Sequence, residues 1–428
     1  MTAREAVQGA LRTYRISGSA SQNDSYRAEL ERLTATLPDR RDAALAMQIT
    51  LGVIRNLTLC DYYIASASSI KLPKIEPQAL DILRSAVYQL AFLDKVPKSA
   101  AVNEAVKLAR KKLNPRAVSF VNAVLRRLSD ELPEIETTGD RAAFLALKYS
   151  HPEWLVREFI SQIGEDQTEL LLTADNTEPP VYARVNTLKT TAERLISDLS
   201  ALGIEVAPSQ LQDTLELRAL RDLTTLEPFQ NGEFFIQDPS STTAALSVSA
   251  ISGARIIDAC AAPGGKSFAM AIAMQNKGEI LAFDTDKKVS LITDGAARLG
   301  LSIISARTGD SSVCNATLIG TADAVLVDAP CSGFGVVRKK PEIRYKTQDE
   351  LAHLPSQALS ILTNCAAYVK SGGTLVYSTC TLLKSENEGV VGAFLRDNNG
   401  FELKSQTTYW PHIHGADGFF VAIMGKHQ

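Results

Sequence analysis

Apolar positions fall into three rhythms along the 428 residues. Over residues 1–140 they recur at intervals of three and four. Leu80, Leu83, Val87 and Leu90 make one helical stripe within Pro77–Leu93, and Val118, Val121, Val124, Leu125 and Leu128 make another. Pro115, just before the second stripe, suits a first helical turn. Similar stripes run through Ala43–Leu57 and Ala101–Leu108, so an all-α domain is expected here. Residues 141–235 mix short elements: Ser150-His151-Pro152-Glu153 reads as a capping box opening a helix. Tyr182–Asn186 reads as a strand, Ala192–Leu202 as a helix ended by Gly203, and Ile204–Ala207 as a further strand. A small α+β module fits that mixture. From residue 236 to 428 apolar runs at Ile256–Ala259, Ile280–Phe283, Ile303–Ala306, Ala324–Val327 and Thr374–Tyr377 suit buried parallel strands, with helix-like segments between most of them. That alternation predicts a doubly wound α/β sheet that binds its ligands at the carboxyl ends of the strands.

Composition changes this picture little. Hydrophobic residues make up 45% and charged residues 22%, which are ordinary globular values. The opening Met-Thr-Ala-Arg-Glu lacks the layout of a secretory signal. The most apolar stretch, from Ala244, is broken by Arg255 and Asp258 and falls short of the ~20 apolar residues of a membrane span. Cys60, Cys260, Cys314, Cys331, Cys365 and Cys380 form no C-x-x-C, which argues against a disulfide framework or a structural zinc site. A soluble cytoplasmic protein is expected.

Charge matters more. The net charge of −3 conceals an excess of +4 over residues 1–140, −8 over 141–250 and +1 over 251–428. Residues 95–127 hold nine basic side chains (Lys95, Lys98, Lys107, Arg110, Lys111, Lys112, Arg116, Arg126, Arg127) against the single acid Glu104. A local excess of +8 can hold phosphates, or can simply be a solvated helix face.

The first predicted strand of the α/β part runs into Cys260-Ala261-Ala262-Pro263-Gly264-Gly265-Lys266-Ser267 and then a helix, Phe268–Gln275. A glycine turn of this kind lets backbone approach a ligand closely. A phosphate-binding loop would need a glycine at Cys260, and the dinucleotide pattern G-x-G-x-x-G is absent. Asp284 lies twenty residues beyond Gly264, at the end of the second strand, where a carboxylate can accept both ribose hydroxyls. Ribose recognition without a phosphate cradle makes S-adenosylmethionine the leading cofactor candidate. Asp310 ends the third strand at the same sheet edge. Two more strands end at Asp328-Ala329-Pro330-Cys331 and Ser378-Thr379-Cys380, so two cysteines are expected side by side next to the crevice. That setting suits covalent catalysis by a thiolate. Cys60, Cys314 and Cys365 lack it and read as structural.

With these residues in view, the chain resembles the bacterial 16S ribosomal RNA cytosine-C5 methyltransferases of the Sun/Fmu, RsmB-like type. The resemblance rests on Asp258 through Lys266, on Asp328-Ala329-Pro330-Cys331-Ser332-Gly333-Phe334-Gly335-Val336 through Pro341-Glu342-Ile343-Arg344, and on Tyr377-Ser378-Thr379-Cys380-Thr381 through Ser385-Glu386-Asn387-Glu388. Ala101–Val106 and Phe120–Arg127 are similar to the RNA-binding NusB domain fused to that family. Phe334 departs from the family, which often has a small polar residue there, and Arg338-Lys339-Lys340 is richer in lysine than usual.

The resemblance implies an all-α NusB-like domain (1–140), an α+β module (141–235) and a Rossmann-like class I methyltransferase domain with a mostly parallel sheet (236–428). It implies Cys380 as nucleophile and Cys331 as the residue aiding product release. Cys260, Ala261, Ala262, Pro263, Gly264, Gly265, Lys266, Asp284, Asp310 and Asp328 would line the S-adenosylmethionine site. C5 of a pyrimidine is a poor nucleophile until a thiolate adds to C6, and Asp328 near N3 would stabilise the protonated ring. The expected partner is 16S ribosomal RNA, with no membrane and no metal, and the chain is expected to act as a monomer. Transfer RNA is the alternative substrate. A non-catalytic RNA-binding assembly or antitermination factor is the alternative from another class.

Overall fold

The helical stripes and the apolar runs become two kinds of core in the structure, a computed structural model that describes residues 1–17, 24–136, 139–218 and 223–428. The chain divides into two compact units. One comprises Met1–Thr177 with Lys340–Lys346; the other comprises Glu178–Lys339 with Thr347–Gln428.

The first unit is helical throughout its described residues. Pro77–Phe92 buries Leu83, Val87 and Leu90 of the stripe expected for it, with Leu80 half-buried and Ile82 buried beside them. Pro115 opens Pro115–Asp130 at the first turn. The Asn114 side chain accepts from the Ala117 N–H at 3.0 Å, and Val121, Val124, Leu125 and Leu128 are buried. The nine basic side chains of residues 95–127 are all exposed, most of them on Lys98–Lys112 and Pro115–Asp130.

The expected capping box at Ser150 does not form. The helix it was to open runs Glu153–Ile163 from Pro152, without a side-chain cap. Ser150 is instead buried at φ +53°, and its hydroxyl accepts the Leu59 N–H at 3.0 Å. A tertiary donor has won over the local one.

Pro341–Tyr345, part of a conspicuous sequence motif, is a 3₁₀ turn built into this helical unit. Arg344 is fully buried, and its guanidinium donates to the carbonyls of Arg55 (2.9 Å) and Tyr149 (3.2 Å) and to Asn176 Oδ1 (2.8 Å). Glu342 accepts from the Tyr26 hydroxyl at 2.8 Å and from Arg27 at 3.0 Å.

The second unit contains two sheets. β1 (Val181–Val185), β2 (Glu205–Pro208), β3 (Thr214–Arg218) and β4 (Phe234–Ile236) form an antiparallel sheet in the order β2-β3-β1-β4. β1 and β2 are the strands expected there. β3 and β4, five and three residues long, were not among the expected strands.

The larger sheet contains β5 (Arg255–Asp258), β6 (Glu279–Asp284), β7 (Ile304–Thr308), β8 (Ala322–Asp328), β9 (Val369–Thr379), β10 (Phe401–Tyr409) and β11 (Phe419–Lys426), in the order β10-β11-β9-β8-β5-β6-β7. β5 to β9 pair in parallel, as the five apolar runs predicted. β10, mostly exposed and polar, and β11, mostly buried and apolar, add an antiparallel edge that was not among the expected strands. The sheet therefore remains mostly parallel. From β5 the chain winds outward through β6 and β7, then returns to β8 on the other side of β5. That reversal opens a crevice at the carboxyl ends of β5 and β8. Among the described residues no single helix is long and apolar enough to cross a membrane.

Candidate active site

At the end of β5 the chain leaves the sheet at Asp258 and turns through Ala259–Gly264 into the helix Gly265–Ala273. Gly264 takes φ +109°, and a Cβ there would lie 2.4 Å from the Phe268 ring. Only glycine serves at that point. Asp258 is fully buried and accepts the Ser267 hydroxyl at 2.7 Å, which closes the turn. Burial pushes its carboxyl up to about 7, with the Ser267 hydrogen bond opposing.

Asp284, at the end of β6, takes the Ala262 N–H on Oδ2 at 2.9 Å and the Thr285 N–H on Oδ1 at 2.7 Å. It thus ties the glycine loop to the neighbouring strand. Asp310, beyond β7, accepts the Ser312 N–H at 2.9 Å and hydroxyl at 2.6 Å, which hold its carboxyl below the usual range.

The register of β8 and β9 sets the other end of the crevice. Asp328 and Ser378 are partners across the two strands. Ser378 donates its hydroxyl to Asp328 Oδ1 at 2.9 Å, and Lys266 donates to Oδ2 at 2.6 Å. Burial opposes the charge on Lys266, but the adjacent Asp328 carboxylate overrides it and holds the ammonium above the ordinary lysine range. Three residues beyond Asp328 and two beyond Ser378, the sulfurs of Cys331 and Cys380 lie 3.4 Å apart. The contact with Cys380 and burial together raise the Cys331 thiol well above its usual range. The same contact outweighs burial at Cys380 and lowers it, and the Lys266 charge adds to the effect. Gly335 donates its N–H to the Cys380 carbonyl at 2.9 Å; a Cβ there would lie 2.0 Å from the Gly418 carbonyl oxygen.

A cavity of about 530 Å³ joins these groups, with Ala262, Asp284, Asp310, Asp328, Cys331 and Cys380 in its wall. Cys260 and Ala259 also face it. Ala261, Pro263, Gly264 and Gly265 shape the turn without lining that cavity, and Lys266 reaches it through Asp328. Seven of the twelve expected site residues therefore line one crevice, and the other five belong to the turn beside it. The fit to S-adenosylmethionine is good on the structure's own terms. Asp284 offers a carboxylate acceptor in the cavity wall, the glycine turn leaves room for backbone approach, and the half-buried sulfurs stand on the β8–β9 side.

Sequence reasoning missed Ser378, whose hydroxyl orients Asp328, and the buried side chains around Ser332 and Thr381. The bonds from Ser378 to Asp328 and from Ser332 to Thr381 and Glu386 span 49 to 54 residues, so no local spacing reveals them. Cys60 and Cys365 are buried, as packing residues should be, whereas Cys314 is exposed. Phe334 is fully buried, which makes it part of the packing.

Three family models match in succession: the NusB family over residues 1–130, an RsmF/B-like ferredoxin-like domain over 151–224, and 16S rRNA methyltransferase RsmB/F over 246–425. A probable ribosomal RNA small subunit methyltransferase B of Bacillus subtilis is 37% identical over 407 residues, covering 90% of this chain and 91% of that protein. A ribosomal RNA small subunit methyltransferase B of Escherichia coli is 30% identical over 406 residues, with the same coverage. Among solved structures, PH0851 matches with a TM-score of 0.82 at 26% identity over 98% of both chains. A methyltransferase homologue from Pyrococcus horikoshii matches with a TM-score of 0.60 at 25% identity, covering 68% of this chain and all of that one. With sequence likeness along nearly its whole length and a crevice shaped for a nucleoside donor, the chain belongs to the RsmB/F family of S-adenosylmethionine-dependent methyltransferases.

Proposed function

We propose that the protein methylates C5 of a cytosine in 16S ribosomal RNA through a transient covalent bond between Cys380 and C6 of the base. One observation carries this reading: two sulfurs 3.4 Å apart lie beside Asp328 in the wall of the nucleoside-sized cavity. A methyltransferase acting on nitrogen or oxygen would need no such pair, whereas a carbon of low nucleophilicity does.

The residues then divide the work. Cys380 as thiolate adds to C6 and pushes electron density onto C5. Asp328, held by Lys266 and Ser378, faces N3 and stabilises the ring as it gains a proton there. S-adenosylmethionine, when bound, supplies an electrophilic methyl group. Asp284 would hold its ribose hydroxyls, and the Cys260–Lys266 turn with Asp310 would frame the rest of the donor site. The C5 proton passes to water, its bonding pair restores the C5–C6 double bond, the C6–sulfur pair returns to Cys380, and Cys331 assists by donating a hydrogen bond to the departing sulfur. A stacked base cannot present C6 to a sulfur, so the target cytosine is single-stranded or flipped out. The nine exposed basic side chains of residues 95–127 supply phosphate contacts, and 16S RNA as substrate implies a cytoplasmic place of work.

Incubation with methyl-labelled S-adenosylmethionine and unmodified 16S RNA tests the reading. Label is expected at C5 of cytosine; label confined to another atom, or to transfer RNA alone, overturns it.

A further inference from the structure

The Ser385-Glu386-Asn387-Glu388 run takes no part in the chemistry above, yet it is wired to both cysteine loops. Beyond Cys380 the chain turns back through Leu383 and Lys384, whose carbonyls accept the Glu386 N–H at 3.0 Å and the Asn387 N–H at 3.2 Å. Tyr377 donates its hydroxyl to the Glu386 carbonyl at 2.6 Å. The side chains of Glu386 and Asn387 are then buried among Ser332, Thr379 and Thr381, all of which are inaccessible to solvent.

The hydrogen bonds of this cluster are specific. Glu386 Oε2 accepts the N–H of Ser332, the residue after Cys331, at 2.8 Å. Glu386 Oε1 accepts the hydroxyl of Thr381, the residue after Cys380, at 3.4 Å. The Ser332 and Thr381 hydroxyls themselves meet at 2.6 Å. Asn387 Oδ1 accepts the Thr379 hydroxyl at 2.6 Å, and Nδ2 donates to the Thr381 carbonyl at 3.0 Å. One buried carboxylate thus grips the residue following each cysteine, and one carboxamide grips both neighbours of Cys380. Burying a carboxylate is costly unless donors surround it, so a position like this is kept for what it holds.

We propose that Glu386 and Asn387 are positioning residues that fix the distance and mutual orientation of the Cys331 and Cys380 sulfurs. The kinetic consequence rests on the covalent chemistry proposed above; the geometric consequence does not. An ångström of misplacement costs on the order of 100-fold in rate.

The test uses the full chain with Glu386→Ala, Glu386→Gln and Asn387→Ala. Diamide draws two electrons and two protons from a pair of thiols, leaving a disulfide and a hydrazine. The rate at which it links Cys331 to Cys380, mapped by peptide mass spectrometry, reports sulfur geometry without any RNA. Glutamine can keep Oε1 on the Ser332 N–H and donate from Nε2 to Thr381 Oγ1, so Glu386→Gln should link within about 3-fold of the wild-type rate. Glu386→Ala and Asn387→Ala should link at least about 10-fold more slowly, as loosened loops hold the sulfurs together for a smaller share of the time.

In single-turnover methylation of 16S RNA, Glu386→Ala should lose about 100-fold in rate with the donor concentration dependence unchanged, and Glu386→Gln should restore most of it. S-adenosylhomocysteine binding by calorimetry shows that each variant is folded. Wild-type linking and methylation rates in folded Glu386→Ala overturn the proposal. If that variant does not fold, the same rates in Asn387→Ala overturn it. A wild-type protein that methylates no cytosine, with the linking contrast intact, would sink the proposed reaction and leave the clamp standing; methylation without the linking contrast would do the reverse.

Discussion

The two ends of the crevice are built on different principles. At the nucleoside end, backbone does the holding: the Ala262 and Thr285 N–H groups on Asp284, the Ser312 N–H on Asp310, and a glycine turn that makes room. Its acids are partly exposed, and its contacts lie close in sequence or on adjacent strands. At the thiol end, side chains reach across long separations: Lys266 to Asp328, Ser332 to Thr381, and Glu386 to the Ser332 N–H. The difference follows from the task. A binding surface needs complementary acceptors at the right spacing and tolerates small adjustments. A group that must form and break a covalent bond needs its position fixed within a fraction of an ångström.

Substitutions at the thiol end should therefore strike the rate, and substitutions at the nucleoside end should strike donor affinity. The largest effect is expected from Cys380→Ala, which should abolish RNA adducts and lower methyl transfer by about 10⁴-fold or more in a single-turnover assay. Cys331→Ala should instead let adducts accumulate on a denaturing gel; the opposite pattern for the two variants would reverse their roles. Asp328→Asn leaves the ring proton without its carboxylate and should reduce kcat by roughly 10²- to 10³-fold, with donor KM nearly unchanged in steady-state kinetics. Asp284→Ala should do the converse, raising donor KM by about 10- to 100-fold while kcat at saturation stays within a few-fold. A kcat loss at Asp284 equal to that at Asp328 would erase the distinction between the two ends.

The smallest effect concerns stability. Asp258 ionises near 3.8 when unfolded and is raised to about 7 by burial. Its stabilising contribution is full below pH 3.8 and is lost as pH rises to about 7, because only the unfolded chain releases the proton over that interval. Asp258→Asn cannot ionise, so its stability relative to the wild type should improve between pH 5 and pH 8. From about 1.4 kcal/mol per pKa unit the gain is at most about 3 kcal/mol. Chemical denaturation at the two pH values measures it.

Legibility in the sequence follows the same division. The glycine turn, Asp284 and the five parallel strands were readable because their signals are local: a strand, a turn, a helix and a fixed spacing. The two cysteines could be placed side by side because the ends of β8 and β9 are adjacent in the winding order. Ser378, Glu386 and Asn387 could not be assigned roles, since their partners are set by β8–β9 register and by a return turn. Ser150 misled for the same reason, its local capping pattern being overridden by a donor 91 residues away. The 3₁₀ turn at Pro341–Tyr345 was visible as a motif but not as part of the helical unit, because nothing in the run itself names Arg55, Tyr149 or Asn176 as its partners.

The central claim is a bond between one sulfur and one carbon, and it can be weighed directly. RNA carrying 5-fluorocytosine at the target cannot lose its C5 substituent as a proton, so the adduct should persist after methyl transfer. Digestion and tandem mass spectrometry of the trapped complex should then find the methylated nucleotide on the peptide containing Cys380 and on no other. A nucleotide attached at Cys331, or an unmodified protein beside fully methylated RNA, would contradict the account.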